Sequence, residues 1–134
     1  MVIKNLRIER SDDDSKLVVD LYSETIGHDQ LWFSVPNKYS EYLTDDRYDA
    51  FLVGMLYPAM MYGEDIEIRG SVSERLLFNI NTYVLALLNA YSPLTKTIKI
   101  NVHDSTADKL GGVEVGTGFS GGVDSFCTIY DHYA

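Results

Sequence analysis

Two segments decide the fold class: Ile66-Glu67-Ile68-Arg69-Gly70-Ser71-Val72-Ser73-Glu74-Arg75-Leu76-Leu77 and, further on, Ile98-Lys99-Ile100-Asn101-Val102. Ile66 and Ile68 alternate with Glu67 and Arg69, the period of a strand with one buried face. After Gly70 the period changes. Leu76, Leu77, Ile80, Tyr83, Val84, Leu87, Leu88 and Tyr91 recur at helical spacing, opened by a capping box of Ser71 with Glu74 and closed by Ser92-Pro93. Period two returns at Ile98, Ile100 and Val102. Strand, helix and strand in this order and length form a βαβ unit, which joins parallel strands through a crossover. The chain therefore reads as α/β, with a mixed sheet whose parallel part starts here.

Upstream, Leu6–Arg10, Lys16–Ser23 and Leu31–Val35 are short extended pieces separated by polar turns at Ser11–Ser15 and Gly27–Gln30, the pattern of a small antiparallel meander. The N-terminal region is thus α+β in character. Asp12-Asp13-Asp14 lacks the alternate spacing of a calcium loop and reads as a solvated hairpin turn. Beyond Pro36-Asn37, Thr44-Asp45-Asp46 supplies an N-cap. Tyr48, Phe51, Leu52, Met55, Leu56, Ala59 and Met60 then mark a helix that ends near Gly63, with a kink expected at Pro58. Its Met and Tyr residues read as core.

Downstream, His103 and Asp104 fall at the end of the second βαβ strand, where a site could lie, although a strand-end His is more often a surface residue. A polar connection from Ser105 to Gly112 leads to a strand at Val113-Glu114-Val115. A glycine-rich turn follows, Gly116-Thr117-Gly118-Phe119-Ser120-Gly121-Gly122-Val123-Asp124-Ser125, and then a helix from Asp124 to Tyr133. Three site types fit the turn. Gly116, Gly118 and Gly121 match a dinucleotide fingerprint, and with it an oxidoreductase reading; Gly118, Ser120 and Gly122 match a nucleophile elbow; Ser120, Gly121, Gly122, Asp124 and Ser125 match S-G-G-x-D-S.

Chance separates them. At residue frequencies near 7%, a three-position pattern arises in roughly one chain in twenty-five of this length, and a five-position pattern on the order of once in 10⁴. The elbow also needs a later acid and His, and the only later His, His132, lies on the same helix. The dinucleotide reading leaves Asp124 and Ser125 unexplained. No Gly-Lys-Ser/Thr occurs, so a Walker loop is excluded. In the five-position reading, Gly121 and Gly122 clear space for backbone N–H groups to face an anion, and the helix adds its positive end. Ser120 and Ser125 offer hydroxyl donors, and Asp124 is placed to hold Mg²⁺.

Composition narrows the partners. The chain has 134 residues, 46% of them hydrophobic, and a net charge of −9. Its mean hydropathy is −0.09. This is a globular composition, and its acidity together with scattered basic residues argues against nucleic acid. A single cysteine, Cys127, excludes an internal disulfide, and with no secretory signal a cytoplasmic setting is expected. The longest apolar stretch, from Ala50 to Gly63, is too short to span a bilayer, so no membrane role is expected. Cys127, one turn into the last helix, reads as a small core residue in preference to a sulfur carrier.

Ser120 to Ser125 resemble the pyrophosphate loop (PP-loop) of the N-type ATP pyrophosphatases, the adenine nucleotide α-hydrolase superfamily. That superfamily includes the GMP, NAD, asparagine and argininosuccinate synthetases, the tRNA thiolases, lysidine synthetase and cyano-deazaguanine synthase. The resemblance implies an HUP-like α/β domain and ATP with Mg²⁺ as ligands. It also implies cleavage between the α and β phosphates, with adenylation of a carboxylate, amide or carbonyl oxygen. Ser120, Gly121, Gly122, Val123 and Ser125 would hold the pyrophosphate, and Asp124 the metal; no residue is marked as catalytic.

The region from Phe51 to Gly63, with Glu67–Leu77 and Gly118–Phe126, is similar to bacterial relatives of the ATP-dependent epimerase of the UDP-muramoyl-alanyl-glutamate precursor of peptidoglycan. Glu114, Gly116 and Thr117 depart from the apolar strand usual before the loop. The resemblance divides the chain into an extension, 1–104, and the start of a PP-loop domain, 113–134. It further implies an N-terminal part of a longer adenylating enzyme, inactive alone. The acceptor is left open, as is a partner chain completing the domain. The alternatives are a non-catalytic phosphate- or nucleotide-binding module, or a cyano-deazaguanine synthase-like or tRNA-modifying relative.

Overall fold

The structure is a computed structural model that describes residues 1–107, 118 and 120–133. The expected strand at Val113-Glu114-Val115, with Gly116, Thr117 and Phe119, lies outside the described residues. Strands β1 (Val2–Arg10), β2 (Asp14–Ser23) and β3 (Gly27–Pro36) form the antiparallel meander. A 3₁₀ segment, Asn37–Tyr42, leads to α1 (Asp49–Tyr62). Then come β4 (Ile66–Ser73), α2 (Glu74–Asn79), a π-helical segment (Ile80–Val84), α3 (Leu85–Tyr91), β5 (Ile100–Thr106) and α4 (Val123–Tyr133). The sheet order is β3-β2-β1-β4-β5, and β4 is parallel to both β1 and β5. The expected α/β class and mixed sheet are present.

Alternation along β2 turns Leu17, Val19 and Leu21 to one face. There they join Ile3, Ile66, Ile68, Val72 and Ile98 under Phe51, Leu52, Met55, Leu56, Ala59 and Met60 of α1. Each of these large side chains contributes about 1.5–3 kcal/mol by leaving water. The helix α1 runs through Pro58 without a break. Its start differs from the sequence expectation: Thr44-Asp45-Asp46 stop short of it, and Tyr48 occupies the N-cap position.

Tyr48 is placed by the sheet. β1 and β4 pair only at Val2↔Glu67 and Ile3↔Ile68 before they part. At the parting, Asn5 takes the left-handed conformation (φ 57°), which shifts the β1–β2 register between Lys4 and Arg7. The Leu6 N–H donates instead to the Tyr48 hydroxyl at 3.0 Å, and the Tyr48 N–H donates to the Ser71 carbonyl at 2.9 Å. The ring lies on Gly70, where a Cβ would come within 2.1 Å of Tyr48 Cε2. Strand β4 therefore continues through Gly70 and Ser71. The expected capping box is corrected accordingly: Ser71 is a strand residue, and Ser73 occupies the N-cap position of α2.

The helical stripe is also corrected. Tyr83, Leu87 and Tyr91 are 61, 65 and 88% exposed, whereas Val84, Leu85 and Leu88 pack on the core. The π-helical turn at Ile80–Val84 contains one residue more than an α turn, so the inward positions after Ile80 move on by one.

The turn between β2 and β3 lies at 24–26, not at Gly27–Gln30, which begin β3. It is held by Glu64. The Glu64 carboxylate accepts from the Ser23 hydroxyl (2.7 Å) and from the N–H groups of Glu24 (3.2 Å) and Thr25 (2.9 Å), and it pairs with the Met1 ammonium at 3.3 Å. Burial alone would raise its pKa, but the donors from Thr25, Ser23 and the ammonium outweigh burial and hold it at about 2. The first turn, at Ser11–Asp14, is pinned by Asn37 Nδ2, which donates to the carbonyls of Ser11 and Asp12. This agrees with a structural role for the Asp12–Asp14 run.

Two stability measurements follow. Tyr48→Phe leaves the Leu6 N–H without its acceptor and should cost about 1–3 kcal/mol in urea unfolding, with Gly70→Ala costing at least as much because the ring must move. Because the Glu64 pKa is lowered from 4.5 to about 2, its contribution is complete above pH 4.5 and lost as pH falls toward 2. Glu64→Gln should lower stability by about 2–3 kcal/mol at pH 7, with the deficit closing across that window. A deficit independent of pH would show that the charge contributes nothing.

Candidate functional site

The first intrahelical bond of α4 runs from Phe126 N–H to the Gly122 carbonyl at 3.2 Å, so the N–H groups of Val123, Asp124 and Ser125 precede it. Such first-turn donors have no intrahelical acceptor. Ahead of them Gly121 has φ 76°, a conformation that costs an L side chain roughly 1–2 kcal/mol, and a Cβ there would meet no other atom within 4 Å. Glycine is needed here for the backbone turn and not for space.

That turn folds Ser120 back onto Ser125. The Ser120 N–H donates to Ser125 Oγ at 3.1 Å, the two hydroxyl oxygens are 2.9 Å apart, and the Gly122 N–H reaches Ser120 Oγ at 3.4 Å. Ser125 is only 6% exposed, while Ser120, Gly121, Gly122, Val123 and Asp124 are exposed. Of the sequence-expected residues, then, Ser120, Gly122 and Ser125 are joined by hydrogen bonds. Asp124 stands free at the solvent side of the first turn, its carbonyl accepting from Thr128 Oγ1 at 3.0 Å.

Two features bear on a phosphate ligand. Residues 110–134 contain no Lys or Arg, so the charge carried by this stretch is acidic, from Glu114, Asp124 and Asp131. First-turn backbone N–H groups and the one serine hydroxyl proton not used between Ser120 and Ser125 can face phosphate oxygens, whose charge needs a counterion from elsewhere. Among the described residues no three His, Cys, Asp or Glu side chains converge on a metal position. Asp124 alone fits a hard cation that takes its remaining oxygens from water and from the phosphates themselves, as Mg²⁺ does.

His103 and Asp104 lie within β5, which continues to Thr106, and both are exposed, in line with the surface reading of His103. Cys127 is exposed and not in the core. No described helix is long and apolar enough to cross a membrane.

Sequence reading missed a cleft of about 1130 Å³ that contains the ends of β4 and β5, Ser73 and Thr106. Arg47 and Asp49 reach it from either side of Tyr48. Ser73 Oγ accepts from Arg47 Nη1 at 3.2 Å and donates to Asp49 Oδ2, while the Ser73 N–H donates to Asp49 Oδ1 at 2.8 Å. The available signal was the charged pair flanking a core tyrosine.

Among known proteins, no family model, curated protein or solved structure matches the chain. What the geometry defines is a mixed α/β sheet protein with a glycine-hydroxyl turn at the head of α4. The exposure of Cys127 has a direct check. Its thiol should react stoichiometrically with Ellman's reagent in native buffer, as fast as in denaturant to within about tenfold; protection beyond that would place it in an interface.

Proposed function

We propose that the turn from Ser120 to Ser125 binds the pyrophosphate portion of ATP and that the protein serves AMP-forming activation of an acceptor oxygen. The observation that carries this reading is the hydrogen-bonded pairing of Ser120 with Ser125 across a left-handed Gly121, directly ahead of the first-turn N–H groups of α4. A dinucleotide fingerprint has no use for the two hydroxyls.

In the proposed reaction an acceptor oxygen attacks the α-phosphorus, the bond from that phosphorus to the α–β bridging oxygen breaks, and pyrophosphate leaves with the electron pair. The first-turn N–H groups and the remaining serine hydroxyl proton stabilise the charge that develops on the leaving group, which lowers the barrier. Mg²⁺, held by Asp124 and phosphate oxygens, would supply the positive charge that residues 110–134 lack. The acceptor is a small molecule bearing a carboxylate or carbonyl oxygen. A peptidoglycan-precursor epimerisation rests on sequence resemblance alone, as do a cyano-deazaguanine synthase-like or tRNA-modifying role.

Calorimetric titration with magnesium pyrophosphate tests the loop. Ser125→Ala should weaken binding roughly tenfold or more, and Asp124→Asn should remove its dependence on Mg²⁺. Unchanged binding in both variants would dismiss the loop as a phosphate site. Exchange of labelled pyrophosphate into ATP separates chemistry from capture: binding without exchange in the full protein would favour a non-catalytic phosphate-binding module.

A further inference from the structure

We infer that the cleft between α1, the start of α2 and the carboxyl ends of β4 and β5 is a binding site for a small organic anion with an apolar body. Ligands of open α/β sheets lie outside the carboxyl ends of parallel strands, and Ser73 and Thr106 are the last residues of two such neighbours. The volume of about 1130 Å³ exceeds what a drug-sized molecule occupies, and the cleft is open to solvent.

Its walls divide by chemistry. Phe33, Val53 and Leu76 supply apolar surface. Space between them depends on Gly54, where a Cβ would already stand 3.3 Å from Phe33 Cζ. Val53 is 56% exposed, so its side chain is accessible to an apolar body in the cleft.

The polar end carries charges of both signs: Arg47 and Arg75, two of the five arginines in a chain of net charge −9, line the cleft together with Asp49 and Glu74. The acid facing Arg47, Asp49, already accepts the N–H and the hydroxyl of Ser73, so its oxygens are directed to the end of β4. Arg75 is exposed and makes no hydrogen bond or ion pair among the described residues, leaving its guanidinium for a carboxylate or phosphate. Glu74, exposed and also lining the cleft, opposes an anion there together with Asp49.

This inference is independent of the ATP reading, because no residue of the Ser120–Ser125 turn lines the cleft. Amide chemical shifts of the full chain, titrated with 1-naphthoate and with neutral 1-naphthalenemethanol, test it. Naphthoate should give saturable shifts at Val53, Gly54, Arg75 and Leu76 and bind roughly tenfold more tightly than the alcohol. Arg75→Gln should abolish that preference and Glu74→Gln should widen it; both positions are exposed, so the rest of the spectrum reports an intact fold. Equal affinity for the two probes would overturn the inference, as would shifts confined to the exposed faces of α3 and α4 or an absence of saturation.

Discussion

The contact of the Tyr48 ring with the backbone at Gly70 is the constraint on which the rest of the sheet depends. Strands β1 and β4 pair over two residues and then separate, which would leave the Leu6 N–H without an acceptor. The Tyr48 hydroxyl satisfies it, and the ring occupies the gap because Gly70 has no side chain. One residue thereby joins the meander to the parallel half of the sheet and sets where α1 begins. Its neighbours Arg47 and Asp49 are carried to the carboxyl end of β4, so the cleft follows from the same insertion.

A second long-range tie closes the other end of the sheet. Glu64, in the short link between α1 and β4, receives donors from the β2–β3 turn and from the Met1 ammonium. A buried carboxylate stays ionised only when such donors compensate for lost water, and here they outweigh burial. Between them, Tyr48 and Glu64 connect both ends of α1 to strands that are distant in sequence.

Local pattern carried much of this architecture. Extended pieces between polar turns located the three strands of the meander, period-two alternation located β4 and β5, and period-3.6 spacing located α1 and the helix after β4. The errors have a common cause. Ser71-Val72-Ser73-Glu74 has the spacing of a capping box, but Ser71 is retained in the strand by the Tyr48 contact. Leu87 and Tyr91 fit an α-helical stripe, but the π-helical turn at Ile80 rotates them outward. Thr44-Asp45-Asp46 resembles an N-cap, yet the helix waits for Tyr48. In each case a contact with a distant residue, or an extra residue in one turn, displaced a boundary by one to a few positions without altering the kind of element. At the candidate loop the residues are contiguous, so Gly121, Ser120 and Ser125 could be assigned roles from spacing alone. In the cleft, Arg47, Asp49, Ser73 and Arg75 come from separate elements, and only their arrangement in space makes them a group.

The sequence by itself determined the alternation of strand and helix, the parallel crossover and the composition of the glycine-serine turn, because these depend on residues within a few positions of one another. Only the tertiary structure decided where β4 ends, which helix positions face the core and which charges share a cleft. Those outcomes depend on a ring filling the gap left by a missing Cβ, on one added residue in a helical turn, and on donors brought to Glu64 from the chain's first residue and from a turn some forty positions upstream.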